Sequence, residues 1–181
     1  TAPIRFLVQA MSGVPSIVAG LFILSAILYP ITKSFSGFMG ALALTILMIP
    51  TIARTSEEVL NLIPNDLREA GVALGGTQWR TVAMIVLPAA KSGLITAVIL
   101  GVARIAGETA PLLLLTGGGD KVNANAFSGP LGSLPYYIWK SFNAGSPEAI
   151  TRAWAGLLVL MVLVLLLFMA ARSLSSRKIS K

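Results

Sequence analysis

Long runs free of charged residues alternate along the chain with short stretches that carry the charges. Residues 6–32 lie between Arg5 and Lys33, residues 34–53 between Lys33 and Arg54, and residues 153–171 between Arg152 and Arg172. A helix needs about 20 apolar residues to cross a bilayer, so spans are expected over about 6–31, 34–53 and 153–171. A fourth is expected over 92–116, which is apolar but for Arg104 and Glu108. Residues 122–139 are equally free of charge, but Asn123, Asn125, Gly129, Pro130, Gly132 and Pro135 make them read as loop. The expected fold class is an all-α polytopic membrane protein: four spans, a long amphipathic insert at 54–91 and a polar loop at 117–152. Gly13, Pro15 and Gly20 in the first span and Pro50 in the second interrupt helical bonding, and neighbouring helices or a water-lined cavity must satisfy the freed carbonyls.

The basic residues orient this arrangement. Arg5, Arg54, Arg68, Arg80, Lys91, Arg172, Arg177, Lys178 and Lys181 fall on one side, against Lys33, Lys121, Lys140 and Arg152 on the other. The richer side is expected to be cytoplasmic, which places the 54–91 insert and the C-terminus inside and the 117–152 loop outside.

Composition supports the membrane reading. Of 181 residues, 55% are hydrophobic and 12% charged, with a mean hydropathy of +0.83; soluble domains carry about 25% charged residues. The net charge is +7, but it flanks spans rather than forming the basic stripe of a nucleic-acid binder. Histidine and cysteine are absent, which excludes a Ser-His-Asp triad, a thiol nucleophile and a Cys/His metal site. No phosphate-cradling GxxxxGK[ST] run occurs, so no cofactor, metal or nucleotide site is expected. The chain opens at Thr1 with nothing resembling a signal peptide and reads as the C-terminal part of a longer polypeptide.

Four of the seven acids, Glu57, Glu58, Asp66 and Glu69, fall in the insert. Pro64 and Asn65 are expected to stop one helix and Asp66 to start the next, with Glu69 at capping-box spacing. Gly75-Gly76 favours a chain reversal. Thr77 can cap a second amphipathic stretch, Gln78 to Leu87, ending at Pro88. The expected product is a helix–turn–helix outside the bilayer, in which Ala70, Gly71 and Gly75 form a low-relief surface for another protein's groove. A hairpin resting on lipid headgroups is the other reading that these residues leave open.

Arg104 lies near the middle of 92–116, where a charge costs about 2.5–3.5 kcal/mol and has to face protein or water. At about 100° per residue Gly93, Ala97, Gly101, Arg104 and Glu108 share one face, and small residues at this spacing let another helix approach closely. Four apart on one helix, Arg104 and Glu108 are placed to pair. The pair either fixes helix packing or forms a gate or anion contact in a translocation path. A buried ion pair adds little stability, which gives the second reading its force. Ser12, Pro15 and Ser16 are candidates to line the same path, against the commoner role of span serines in bonding their own backbone. Tyr136, Tyr137 and Trp139 beside Lys140 suit an interfacial belt.

From Glu69-Ala70-Gly71 through Gly75 to Ile85-Val86-Leu87-Pro88, the chain resembles the signature of ABC importer permeases of the type I, MetI-like kind. That signature is Glu-Ala-Ala, three residues, Gly, nine residues, Ile-x-Leu-Pro. Every spacing agrees; Gly71 replaces the second alanine, which keeps the surface flat and makes the helix less stable. The resemblance implies that this segment is a coupling helix docking in a cleft of a separate ATPase subunit, with Glu69, Ala70 and Gly75 as the knob and Gly71 beside them. The run Ala103 to Leu112, with Gly13 to Phe22, Leu134 to Ile138 and Ala153 to Gly156, is similar to the PstA family of bacterial phosphate-importer permeases. Ala110-Pro111-Leu112 favours that family over its PstC sister. The resemblance covers nearly all of the chain and implies further N-terminal helices. It also implies a location in the bacterial cytoplasmic membrane, a PstC-like second permease subunit, a PstB-like ATPase dimer on the cytoplasmic face and a PstS-like phosphate-binding protein touching the outer loop.

Rival readings remain at this level. A permease for another oxyanion, molybdate or sulfate, differs only in the 103–112 run and its companion segments. A proton-coupled carrier using Glu108 has no need of the 54–91 hairpin. For an intramembrane enzyme, the lack of His and Cys and the single carboxylate in the spans leave neither a paired-Asp nor a Ser-His mechanism to assemble.

Overall fold

The computed structural model describes residues 2–119 and 123–176, in which the chain is a bundle of helices. Thr1, Lys121, Arg177, Lys178 and Lys181 lie outside the described residues. Helix α1 (Ala2–Ser12) is followed by α2 (Ser16–Ile23), which runs into a π-helical stretch, Leu24–Thr32. Then come α3 (Gly37–Asn61), α4 (Asn65–Ala73) and α5 (Gln78–Thr81). A second π-helical stretch, Val82–Val86, leads into α6 (Leu87–Ala106), followed by α7 (Ala110–Leu115), α8 (Leu134–Asn143) and α9 (Pro147–Ser176). Among the described residues, three helices are long and apolar enough to cross a membrane: Gly37–Asn61, Gln78–Ala106 and Pro147–Ala170. Pro3–Ser12 and Ser16–Thr32 together make a fourth if counted as one span.

Proline chemistry accounts for most departures from the expected spans. The first, expected as one span over 6–31, is bent by 102° between α1 and α2. Pro15 has no N–H and disfavours helical geometry at Val14, and the chain closes α1 with tight Gly13-to-Ala10 and Val14-to-Met11 bonds. The fourth, expected over 92–116, breaks at Gly107–Thr109. The ring of Pro111 would meet the carbonyl four residues back, that of Gly107, if the helix continued. At its other end this helix reaches back to Gln78 rather than starting at 92, and it passes straight through Pro88, where a stop was expected. The carbonyl that Pro88 cannot serve belongs to Met84, inside the π-helical stretch, where a widened turn absorbs the mismatch. Pro30 sits in the other π-helical stretch.

The second span starts where Ser36 accepts a bond from the Met39 N–H at 3.3 Å, and it continues past 53 to Asn61. The last begins at Pro147 rather than 153. The 117–152 segment is not all loop, because Ser133 caps α8 by accepting from the Tyr136 N–H.

Small residues set the packing. α3 and α6 run antiparallel: a Cβ on Gly93 would stand 2.4 Å from Val59, and one on Gly101 would stand 2.6 Å from Ile52. Between them Ala97 is fully buried, so the small face points into the bundle as its spacing predicts. Gly20 of α2 touches Pro111 and Leu114 of α7, and Gly40 of α3 touches Leu112 and Thr116. The core, Ile23, Leu28, Met39, Ala43 and Leu115, sits where these elements meet. The same end is closed by backbone bonds from Ser36 to Leu115, Leu131 to Thr116 and Phe38 to Ala126, with the Phe38 and Phe127 rings 5.2 Å apart. Much of α9 presents leucine, valine and methionine outward, as a lipid- or protein-covered span does.

Candidate functional site

Two places carry the candidate residues: the hairpin between α3 and α6, and the broken segment around Glu108. In the hairpin, α4 starts at Asn65 with Pro64 in the N-cap position, rather than at Asp66, and no side chain caps it. Pro64 suits an N-terminal boundary because its fixed φ and missing N–H cost nothing there. Asp66 therefore lies in the first turn, where its charge still favours the helix dipole, and the expected capping box with Glu69 does not form. Glu69 is exposed and free to face a partner.

The helix ends in a Schellman motif. The Gly76 N–H bonds to the Gly71 carbonyl at 3.1 Å and the Gly75 N–H to that of Val72 at 2.9 Å, with Gly75 at φ +83°. An L side chain is strained there; this glycine is required by the turn. Thr77 then caps α5, accepting from the Arg80 N–H at 3.3 Å.

Gly71 does not lie on the outer surface, as expected from the sequence, but is buried. A Cβ there would stand 2.5 Å from Thr81 Cγ2 and 2.9 Å from Ile85 Cδ1. The missing methyl is what lets the two arms of the hairpin close, and Thr81 is itself buried with its hydroxyl unpartnered. With Gly71 and Arg68 inward, helical geometry sends Asp66, Glu69, Ala70 and Ala73 to the opposite face, and all four are exposed. Leu74 is 87% and Trp79 79% exposed at the tip. A groove of about 650 Å³ runs along the flank of the hairpin, lined by Arg68, Glu69, Val72, Ala73, Gln78, Thr81 and Val82. Bare apolar side chains at its tip mark the knob as a surface to be covered by a protein or a membrane.

The second place differs from its expectation. Arg104 stands in the last turn of α6, exposed, while Glu108 lies half-buried beyond the helix end, its N–H bonded to the Ile105 carbonyl. The i,i+4 pairing needs a continuous helix, which Pro111 prevents, and no ion pair joins Arg104 to Glu108 among the described residues. Arg5 of α1 and Glu57 of α3 do pair, at 2.5 Å. Ser12 is exposed and donates to the Gln9 carbonyl at 2.7 Å, the backbone bond common to serines in spans. Pro15 is exposed and Ser16 half-buried at the first bend. The two breaks are neighbours, because the helices that follow them pack together at Gly20 and Pro111. Arg68 has no signal in the sequence: its Nη2 donates to the Leu60 carbonyl at 2.8 Å, and no periodicity marks a contact across a proline-containing turn.

A family model described as binding-protein-dependent transport system inner membrane component matches residues 2–180. The phosphate transport system permease protein PstA of Mycobacterium leprae is 42% identical over 178 residues, 97% of this chain and 59% of that protein. PstA 1 of Mycobacterium tuberculosis (strain ATCC 25618 / H37Rv) is 40% identical over 166 residues, 92% of this chain and 54% of its own length. PstA of Pasteurella multocida is 42% identical over 168 residues, 93% of this chain and 59% of its own length. The chain thus spans somewhat over half the length of the curated relatives it matches. A solved structure of the MetNI methionine ABC transporter in an inward-facing conformation superposes with a TM-score of 0.81 at 22% identity, over 99% of this chain and 76% of that one. At that identity the likeness is one of fold.

Proposed function

Since the chain belongs to the binding-protein-dependent transport system inner membrane component family, we propose that it moves inorganic phosphate through the bacterial cytoplasmic membrane as permease of an ATP-driven importer. The observation that carries this is the hairpin: locked internally by Gly71 and Gly75, bare at Glu69, Ala70, Leu74 and Trp79, on a chain about 40% identical to phosphate transport permeases. In this reading a separate ATPase dimer grips the outer face of α4 through Glu69, Ala70 and the Gly75 turn. Its closure on ATP pulls the hairpin, and the α3–α6 pair follows because their interlocked small face resists sliding. The bundle rocks between two states that ligand contacts bias. A PstC-like subunit supplies the other half, and a PstS-like binding protein delivers phosphate to the 117–152 side. The hairpin and C-terminus then face the cytoplasm, with Arg5, Arg54, Arg68, Arg80, Lys91 and Arg172.

Arg104 belongs to the path. An exposed guanidinium on a span has to meet water or a partner's polar groups, and a phosphate moving through a water-filled gap supplies a matching charge. Glu108, beyond the helix break, keeps that charge from trapping the anion. Ser12, Pro15 and Ser16 line the neighbouring break. Arg104→Gln is expected to lower uptake at least tenfold, roughly the worth of one charge-assisted bond, while the protein still inserts. Wild-type uptake removes Arg104 from the mechanism.

The substrate test is uptake of radiolabelled phosphate into vesicles holding the complete importer, with sulfate and molybdate as competitors. Competition by unlabelled phosphate alone is expected; equal competition by sulfate overturns the assignment. A proton-coupled carrier leaves the exposed hairpin without a task.

A further inference from the structure

Arg68 reaches from α4 across the Pro64 turn to the end of α3. Its Nη2 donates to the Leu60 carbonyl at 2.8 Å, in the last turn of α3, where carbonyls no longer find helical donors. The Glu58 and Val59 carbonyls there are taken by the Leu62 N–H; that of Leu60 takes the guanidinium. A helix C-terminus carries partial negative charge, so a cation is favoured at this point. Arg68 is half-buried and its Nε is shut away from water, which holds the guanidinium in one orientation where a surface arginine would swing. The main packing of α4 is against α5 and the second π-helical stretch, both of which continue into α6.

We propose that Arg68 is a positioning residue that carries movement of the hairpin into α3. The hairpin has two attachments to the spans. One is the unbroken helix through residues 78–86 into α6; the other is the short turn of residues 62–64 into α3, which the Arg68–Leu60 bond braces. A pull entering through α6 alone has to be carried to α3 by the Gly93–Ala97–Gly101 seam, whereas a pull entering through both helices moves them as one body without loading it. Arg5 extends that body, because its ion pair with Glu57 lies on α3 one turn before Leu60. The proposal rests on the reading of the hairpin as the ATPase docking piece.

The test uses the reconstituted full importer with Arg68→Ala, Arg68→Gln and Arg68→Lys. Spin labels at Glu58→Cys and Val72→Cys, two exposed positions in a chain without native cysteine, report the placement of α4 against α3. Arg68→Ala is expected to retain the ATPase and hydrolyse ATP, but to move about tenfold less phosphate per ATP, the scale of one lost charge-assisted bond. The label distance broadens in the same variant. Arg68→Lys, whose ammonium still reaches a carbonyl, recovers part of the phosphate-to-ATP ratio and narrows the distance again. An unchanged ratio in Arg68→Ala overturns the proposal, as does a lysine variant no better than alanine. If Arg68→Ala fails to assemble, Arg68→Gln carries the test: a lowered ratio with a broadened distance supports the tie, and wild-type values overturn it. Failure of the wild-type permease to hold an ATPase at the hairpin overturns the docking reading instead, and the label distances still report on the tie.

Discussion

The turn at Gly75-Gly76 and the break at Gly107–Thr109 are both punctuated by glycine, and they are opposites. In the first, both amides bond back into α4, Gly75 takes a conformation that other residues resist, and Gly71 has no room for a methyl group. In the second, Gly107 has an ordinary φ of −98° with open space around its Cα, and Thr109 leads into α7 without a side-chain cap. The first glycines are demanded by geometry; the last is merely permitted. The difference suits a part that transmits force against a part that yields to it.

The sharpest way to break this contrast is Gly71→Val. Its Cβ would collide with Thr81, and overpacking of this kind costs about 3 kcal/mol. Thermal unfolding in detergent and loss of ATPase retention should register it together. The milder pair Gly71→Ala and Thr81→Ala sharpens the same point. Thr81 has no hydrogen bond to lose, so the double variant should be more stable than the sum of the singles by about 1 kcal/mol; additivity would show that the two do not touch. Gly75→Ala comes next, at about 1–2 kcal/mol for forcing a Cβ into the left-handed region, measured in the same melt. Gly107→Ala should fall within about 0.5 kcal/mol of wild type. A large loss there would mean that the break is as constrained as the turn.

What could be read from the sequence was local. The small face Gly93–Ala97–Gly101 and the Thr77 cap depend on spacing along one element, and the structure repeats them. The Gly107 break is also written in the chain, since Pro111 lies four residues on, but the apolar length of 92–116 masks it. Counting glycine and proline hid α8, although Ser133 and Pro135 mark a helix start. Asp66 lost its capping role to Pro64, the stronger boundary. Other features had no local signal: π-helical turns that carry Pro30 and Pro88 through a helix, burial of Gly71 by Thr81, and the reach of Arg68 to Leu60. Each depends on what a second element brings into contact.

The most direct test of the hairpin as the docking piece is protection of a single thiol. Ala70→Cys, small for small on the exposed face of α4, is labelled with a membrane-impermeant maleimide in the permease alone and in the assembled importer with its ATPase. Rapid labelling is expected in the first and strong protection in the second. Equal rates in both would mean that nothing grips this helix, and the coupling mechanism would be wrong.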